Sequence, residues 1–251
     1  MIDLYLGELL KLRTTRMVYG LLGALLLIVA IANIVGVLAT PTQDLASEDD
    51  QAGFFGAAAS GIIFVLLLGV MLMAGEFRHG TITQTLLITP RRWKVLAAKL
   101  LAGATLGLVF GVVAEIFSFV TAVPLLALRG VDLALGDEAA ELVLGTLLTS
   151  ALAAMLGVAL GTLIRNQVVA IIAVFAALLI VEPILTGLLE GRWREIPPYF
   201  PGHALSAALD AEGDDVLSRS GAVAVLLAYI GAIALAGERL MLSRDVNAIQ
   251  A

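Results

Sequence analysis

Six apolar stretches separated by polar segments run along the chain: Met17–Thr40, Phe54–Gly75, Val95–Leu128, Leu142–Ile164, Val168–Leu189 and Gly221–Leu242. Five of them are 22 to 24 residues long. At ~1.5 Å per residue that is about 33–36 Å of helix, enough to cross a ~30 Å hydrocarbon core with some tilt. The third stretch is longer, so its first turns are expected outside the hydrocarbon. None of the six alternates apolar and polar residues with period two, which argues against a transmembrane β-barrel. The pattern predicts an all-α integral membrane protein with six transmembrane helices in a single transmembrane domain, residues 1–251.

The segments between the stretches carry patterns of their own. Residues 2–13 place Ile2, Tyr5, Leu6, Leu9 and Arg13 on one helical stripe and Asp3, Glu8 and Lys11 off it. That spacing predicts an amphipathic helix lying on the membrane surface, with an extension of the first span as the alternative. The first run is too long, and its leader too polar, for a cleavable signal peptide. Residues 41–53, with Asp44, Glu48, Asp49 and Asp50, read as a solvated cap. Residues 184–220 are too long for a turn and are broken by Pro197, Pro198 and Pro201. Their apolar pieces, Ile184–Leu189 and His203–Leu209, are too short to span, and predict a re-entrant or interfacial outer hairpin between spans five and six. Trp193, Tyr199 and Phe200 suit a lipid–water interface.

Composition sharpens the class. Of 251 residues 60% are apolar and 14% charged, against about 45–50% and about 25% in soluble domains; the mean hydropathy is +1.01. A soluble enzyme is excluded. With no cysteine there are no disulfides and no thiolate chemistry. His79 and His203 are single and far apart, so neither predicts a metal site.

Charge gives the orientation. With the N-terminus inside, 11 of the 15 Lys and Arg fall on the inner side, while 14 of the 21 acids fall outside, 5 inside and 2 within spans. The net −6 thus resolves into about +6 inside and −10 outside, with Glu115 and Glu182 buried. The positive-inside bias places both termini in the cytoplasm. An acidic chain of this kind does not predict nucleic-acid binding. Arg outnumbers Lys 12 to 3, a composition that points to a GC-rich bacterial source and hence to a bacterial cytoplasmic membrane.

The most informative link is residues 76–94. Gly80 can end the incoming helix and Thr81 can cap a new one. Ile82, Thr85, Leu86 and Thr89 share a face over two turns, and Thr89-Pro90 reads as the cap and first residue of a third helix. Two readings stay open on the residues alone. One is a short helix shaped to dock in another protein's groove; the other is a basic connector on lipid headgroups through Arg91, Arg92 and Lys94.

Here the residues resemble a known family. Glu76-Phe77-Arg78-His79-Gly80-Thr81-Ile82, then Pro90-Arg91-Arg92 and Lys99, are similar to the first cytoplasmic loop of ABC transporter permeases of the type-2 exporter class. In that family a Glu, a Gly-Thr pair and a Pro followed by a basic residue flank a coupling helix that contacts the ATPase. The resemblance implies coupling roles for Glu76, Phe77, Arg78, Gly80, Thr81, Ile82, Leu86, Pro90, Arg91 and Arg92. It also implies a dimer of permeases (two copies of this chain or a related second one), two ATP-binding subunits, and ATP with Mg on those partners. The chain itself has no Gly-x4-Gly-Lys-[Ser/Thr] loop, His-Glu-x-x-His or Gly-x-Ser-x-Gly, so no catalytic residue, cofactor or metal site is assigned to it. The turn Arg165-Asn166-Gln167 makes spans four and five a hairpin, with a minor ATPase contact implied by the resemblance.

Charge within the spans adds candidate sites. An acid at mid-membrane costs about 2.5–3.5 kcal/mol by analogy with Asp. Glu115 therefore predicts either a translocation-pathway or proton site, or a bond to Ser118 or Thr121 of a neighbouring subunit. Glu182, beside Pro183, predicts a polar gate residue or a plain helix end. Gly103-x3-Gly107-x3-Gly111 and Ala153-x3-Gly157-x3-Gly161 predict close helix packing, within the chain or between subunits. Two other classes remain: an ion-coupled secondary transporter using Glu115 and Glu182, and a non-transporting anchor or immunity protein. The first lacks visible paired halves with interrupted helices.

Overall fold

In the computed structural model, residues 2–248 are described except 46, 48–50, 52, 54–55, 90, 134–135, 165, 190–192 and 210–216; side chains of 14, 79, 83, 84, 86, 88, 137, 138 and 241–248 are also outside the description. Pro90, Arg165, Glu48, Asp49, Asp50 and the side chains of His79 and Leu86 thus lie outside it. Ten α-helices are described: α1 (Ile2–Thr14), α2 (Arg16–Ala39), α3 (Ile62–His79), α4 (Thr81–Ile88), α5 (Arg92–Leu128), α6 (Asp137–Leu163), α7 (Gln167–Ala176), α8 (Glu182–Leu189), α9 (Pro201–Leu209) and α10 (Arg219–Ala248). Six are long and apolar enough to cross a membrane, either alone (α2, α5, α6, α10) or as continuous rods (Ala57–Arg78 and Gln167–Leu189). These match the six predicted stretches to within a turn at almost every end.

Packing follows the small residues. The second and fourth spans make the most intimate pair: a Cβ on Gly69 would overlap the Ala154 carbonyl, and one on Gly157 would overlap that of Leu66. Without side chains at these positions the backbones touch, the geometry lipid-embedded helices favour because lipid gives apolar side chains no reason to leave it. The stripe Gly103, Gly107 and Gly111 faces Val158, Ala154 and Ser150 of α6 in the same way. Both glycine stripes therefore serve packing within the chain. α3 and α6 form the buried centre, while α2, α7 with α8, and α10 present large apolar side chains outward.

A polar clasp fixes the first span. Asn33, wholly buried, donates through Nδ2 to Ser118 Oγ at 3.0 Å, the Ser118 carbonyl at 3.2 Å and Thr121 Oγ1 at 2.7 Å on α5. Ser118 and Thr121, named above in one of the two readings of Glu115, are engaged by Asn33 of their own chain. A lone amide in an apolar span seeks such partners because hydrocarbon offers none.

Three local expectations change. The cap of α4 is Gly80, at φ 68°, ψ 8°, and Thr81 is the first helical residue. That left-handed geometry comes freely to glycine and turns the chain between α3 and α4. Thr89 ends α4, its N–H bonded to the Thr85 carbonyl, with φ −129° and ψ 90°; α5 starts at Arg92 with Arg91 as its cap. The proline that follows Thr89 pushes that residue out of the α region, so it terminates one helix instead of opening the next. Finally, Ile184–Leu189 does not leave the fifth span. The helix widens into a π-turn at Ala177–Val181, with the Glu182 N–H reaching Ala177 O, and continues past Pro183 through α8. A π-turn there accommodates the hydrogen bond that Pro183 cannot make. Of the predicted hairpin pieces, His203–Leu209 lies in the separate short helix α9, packed against α6 and α10.

Candidate functional site

Residues 76–94 are held by an ion cluster that joins three elements. Lys99, in the second turn of α5, is wholly buried. Its Nζ donates to Glu8 Oε2 at 2.6 Å and pairs with Glu76 Oε1 at 2.8 Å. Lys11 Nζ bridges the same two acids, at 2.9 Å to Glu8 Oε1 and 2.8 Å to Glu76 Oε1. Two ammonium groups and two carboxylates thus alternate in a neutral four-membered cluster. It ties α1 to the last turn of α3, immediately before Gly80, and to the start of α5. Tyr5 Oη and Thr105 Oγ1, 2.8 Å apart, add a second tie between α1 and α5. Partial burial draws the Lys11 ammonium's pKa down, but hydrogen bonds and charge from Glu76 and Glu8 outweigh it and hold it above its ordinary value.

The cluster aims the short helix. Phe77 packs on the main apolar core, and the exposed Arg78 donates from Nη1 to Gln167 Oε1 at 3.2 Å, reaching the start of the fifth span. There Asn166 caps α7 by accepting from the N–H groups of Val168 and Val169. Along α4, Ile82 is buried, Thr85 half-buried and Leu87 80% exposed. One face of α4 is therefore anchored and the other is offered outward. Thr81 and Arg91 are exposed at its two ends, and Arg92 is half-buried at the head of α5.

The other two predicted acids stand apart from this group. Glu182 opens α8 and is buried; its Oε1 accepts from the N–H groups of Gly202 at 2.7 Å and His203 at 3.2 Å, and lies 3.3 Å from His203 Nδ1. The carboxylate caps the first turn of α9, where orphan N–H groups and the helix dipole favour negative charge. A side chain on Gly202 would strike Glu182 Oε2, 2.7 Å from an ideal Cβ. Glu182 also lines a cavity of about 410 Å3 between α9 and the second and fifth spans. Arg219 clamps the same end, donating to the Leu209 carbonyl at 3.3 Å.

Glu115 is 8% exposed on α5, facing α6, and neither carboxylate oxygen has a hydrogen-bond partner among the described residues. The Thr146 hydroxyl nearby donates to its own helix, at the Leu142 carbonyl.

Sequence reasoning placed Glu8 and Lys11 merely off the apolar stripe, took Lys99 as part of the motif shared with the resembling family, and overlooked Asn33. The signal was isolation: Lys99 and Asn33 each stand alone in an apolar run, where a polar group must find a partner.

Six packed spans and an outward-facing short helix hung from a buried ion cluster define a multi-pass membrane protein. The chain belongs to the ABC-2 family transporter proteins, whose family model matches residues 5–181, from α1 to the π-turn before Glu182. It is a permease and a transport subunit rather than a catalyst, of a family that generally works with ABC ATP-binding subunits. No curated protein matches the chain.

Proposed function

We propose that this permease is the membrane half of an ATP-driven exporter. Two permeases, either two copies of this chain or this chain with a related one, enclose the pathway, and two separate ATP-binding subunits carry ATP and Mg. The assembly sits in a bacterial cytoplasmic membrane with both permease termini in the cytoplasm. The observation that carries the reading is the mounting of α4. It hinges on Gly80, exposes Leu87, and is gripped at its root by Glu76. A helix mounted in this way transmits a push from a docked partner to α1, the second span and the third span together, because all three meet at the cluster. Alternating access then follows from ATP-driven closure of the partners.

Within the spans, the carboxylate of Glu115, without a hydrogen-bond partner among the described residues, is read as facing the pathway between permeases, and Glu182 as the tie that sets the outer gate by holding α9. The cargo is amphipathic or apolar, since the spans offer few polar groups. The test is co-purification in mild detergent. The tagged chain is expected to bring down an ATP-binding protein, and substitutions at Glu76, Gly80 and Ile82 to weaken both that association and ATP-dependent flux. Recovery of no ATP-binding protein, or full coupling in those variants, contradicts the reading.

A further inference from the structure

The two oxygens of Glu182 have different surroundings. Oε1 meets the N–H groups of Gly202 and His203 and the His203 ring at Nδ1. Oε2 receives no hydrogen bond among the described residues, and unlike both oxygens of Glu115 it is not sealed from solvent. It lies over Gly202, 2.7 Å from where a Cβ would stand, and Gly202 and Glu182 both line the cavity of about 410 Å3. A side chain only 8% exposed thus keeps one acceptor turned to open space. Ser60, Leu179 and Ser206, also in the lining, are exposed, so a molecule can enter without unpacking the bundle. The volume lies within the range of small-molecule sites, about 300–1,000 Å3. An adjoining cavity of about 210 Å3 shares Leu178 and Glu182 with the first and is otherwise lined by apolar residues. Leu178 belongs to the π-turn Ala177–Val181, and such turns inside helices are frequent at functional sites.

We propose that this cavity binds an amphipathic organic amine in its protonated form. The ammonium donates to Glu182 Oε2, and the apolar body lies against Ile62, Leu178 and Leu205. Charge selects the class. No lysine or arginine lines either cavity, and His203, the only other titratable residue in the lining, is set against Oε1. A carboxylate among apolar walls attracts a cation strongly, because little water is present to screen it. It repels an anion, and it gives a neutral alcohol of the same shape only an ordinary hydrogen bond. The adjoining cavity accepts a longer apolar tail. Bound there, the amine sits on the contact that holds α9, the part read above as the outer gate. The proposal narrows the amphipathic cargo of that reading to a cation, and rests on the reading only for calling the bound amine cargo.

The test uses the purified full chain in phosphatidylcholine nanodiscs, which carry no net charge, without any ATP-binding partner. The probes are adamantylamine, adamantanol and adamantane carboxylate, three compact apolar cages of one shape that differ in charge. Binding is read by equilibrium dialysis, with uptake by empty discs subtracted. The amine should bind at least about tenfold more tightly than the alcohol, as one charge-assisted hydrogen bond implies, and the carboxylate should bind least. Glu182→Gln keeps an acceptor for the N–H groups of α9 and should bring the amine down to the level of the alcohol. Ser206→Trp fills the cavity with the carboxylate and its cap in place, and should abolish specific binding of both. Equal binding of amine and alcohol to the unaltered chain, or an amine preference that persists in Ser206→Trp, overturns the proposal. Neither result depends on whether an ATP-binding protein co-purifies, so the site and the coupling reading fail separately.

Discussion

The two ends of the molecule each bury a glutamate at a junction of helices, and they satisfy it by different chemistry. At the Gly80 end Glu76 is held by two ammonium groups, one of them on a wholly buried lysine. At the far end Glu182 is held by the backbone N–H groups that open α9, with His203 alongside. The first arrangement is a network: four charges on three elements, in which the loss of one strands the others. The second is a single cap, and its loss frees one short helix. A network suits a place where motion must pass between elements without slack. A cap suits a part that swings as a unit. Between them Glu115 has neither kind of partner among the described residues.

The widest separation between the two ends should come from Lys99→Met. It leaves Glu8 and Glu76 facing each other with only the half-exposed Lys11, and breaking a buried pair in this way costs about 3–5 kcal/mol. Thermal unfolding in detergent should show a fall larger than that of any single change at the Glu182 end. Next, Glu182→Ala removes the cap of α9 and should cost about 0.5–2 kcal/mol. Faster hydrogen exchange should be confined to α9 and the turn before it; exchange that quickens throughout the fifth and sixth spans would show the Glu182 end to be a network too. Glu115→Gln breaks no hydrogen bond found among the described residues, so stability should hold while flux falls; unchanged flux contradicts the proposed place of Glu115 in the pathway.

The smallest effect concerns Lys11. It is about half exposed, so Lys11→Met should cost at most about 1 kcal/mol, well short of Lys99→Met. Its pKa is raised in the folded protein. The contribution of its ammonium is therefore complete below the unfolded value near about 10.4 and disappears as pH climbs past the raised folded value. Unfolding followed from pH 9 to 11.5 (about one unit each side of that value) should show a loss at the top of this range that Lys11→Met lacks.

The spans were legible because each is a long run with one simple rule, apolarity over the thickness of a bilayer. The glycine stripes were legible as packing, and the structure assigned them to contacts within the chain. Gly80 was legible as a break because few other residues tolerate its conformation. Thr89 was misread because two local rules compete there. Threonine before proline reads as a cap, yet proline also forces the residue before it out of the helix, and here that residue closes α4. The ion cluster was not legible as a whole. Glu8, Lys11, Glu76 and Lys99 are spread over 92 residues of sequence, and only the meeting of α1, α3 and α5 brings them together. Lys99 was read only as a basic residue of the resembling motif, and Asn33, an isolated polar group in an apolar run, was not singled out.

The most direct measurement exploits the absence of native cysteine. With Leu87→Cys as the sole thiol, on the exposed face of α4, a short cross-linker applied to the assembled complex in its membrane should join the chain to an ATP-binding protein. The yield should change between nucleotide-free and ATP-trapped states. A thiol reachable only from the non-cytoplasmic side, or one that captures no ATP-binding protein in either state, would contradict the account that α4 is where this permease meets its motor.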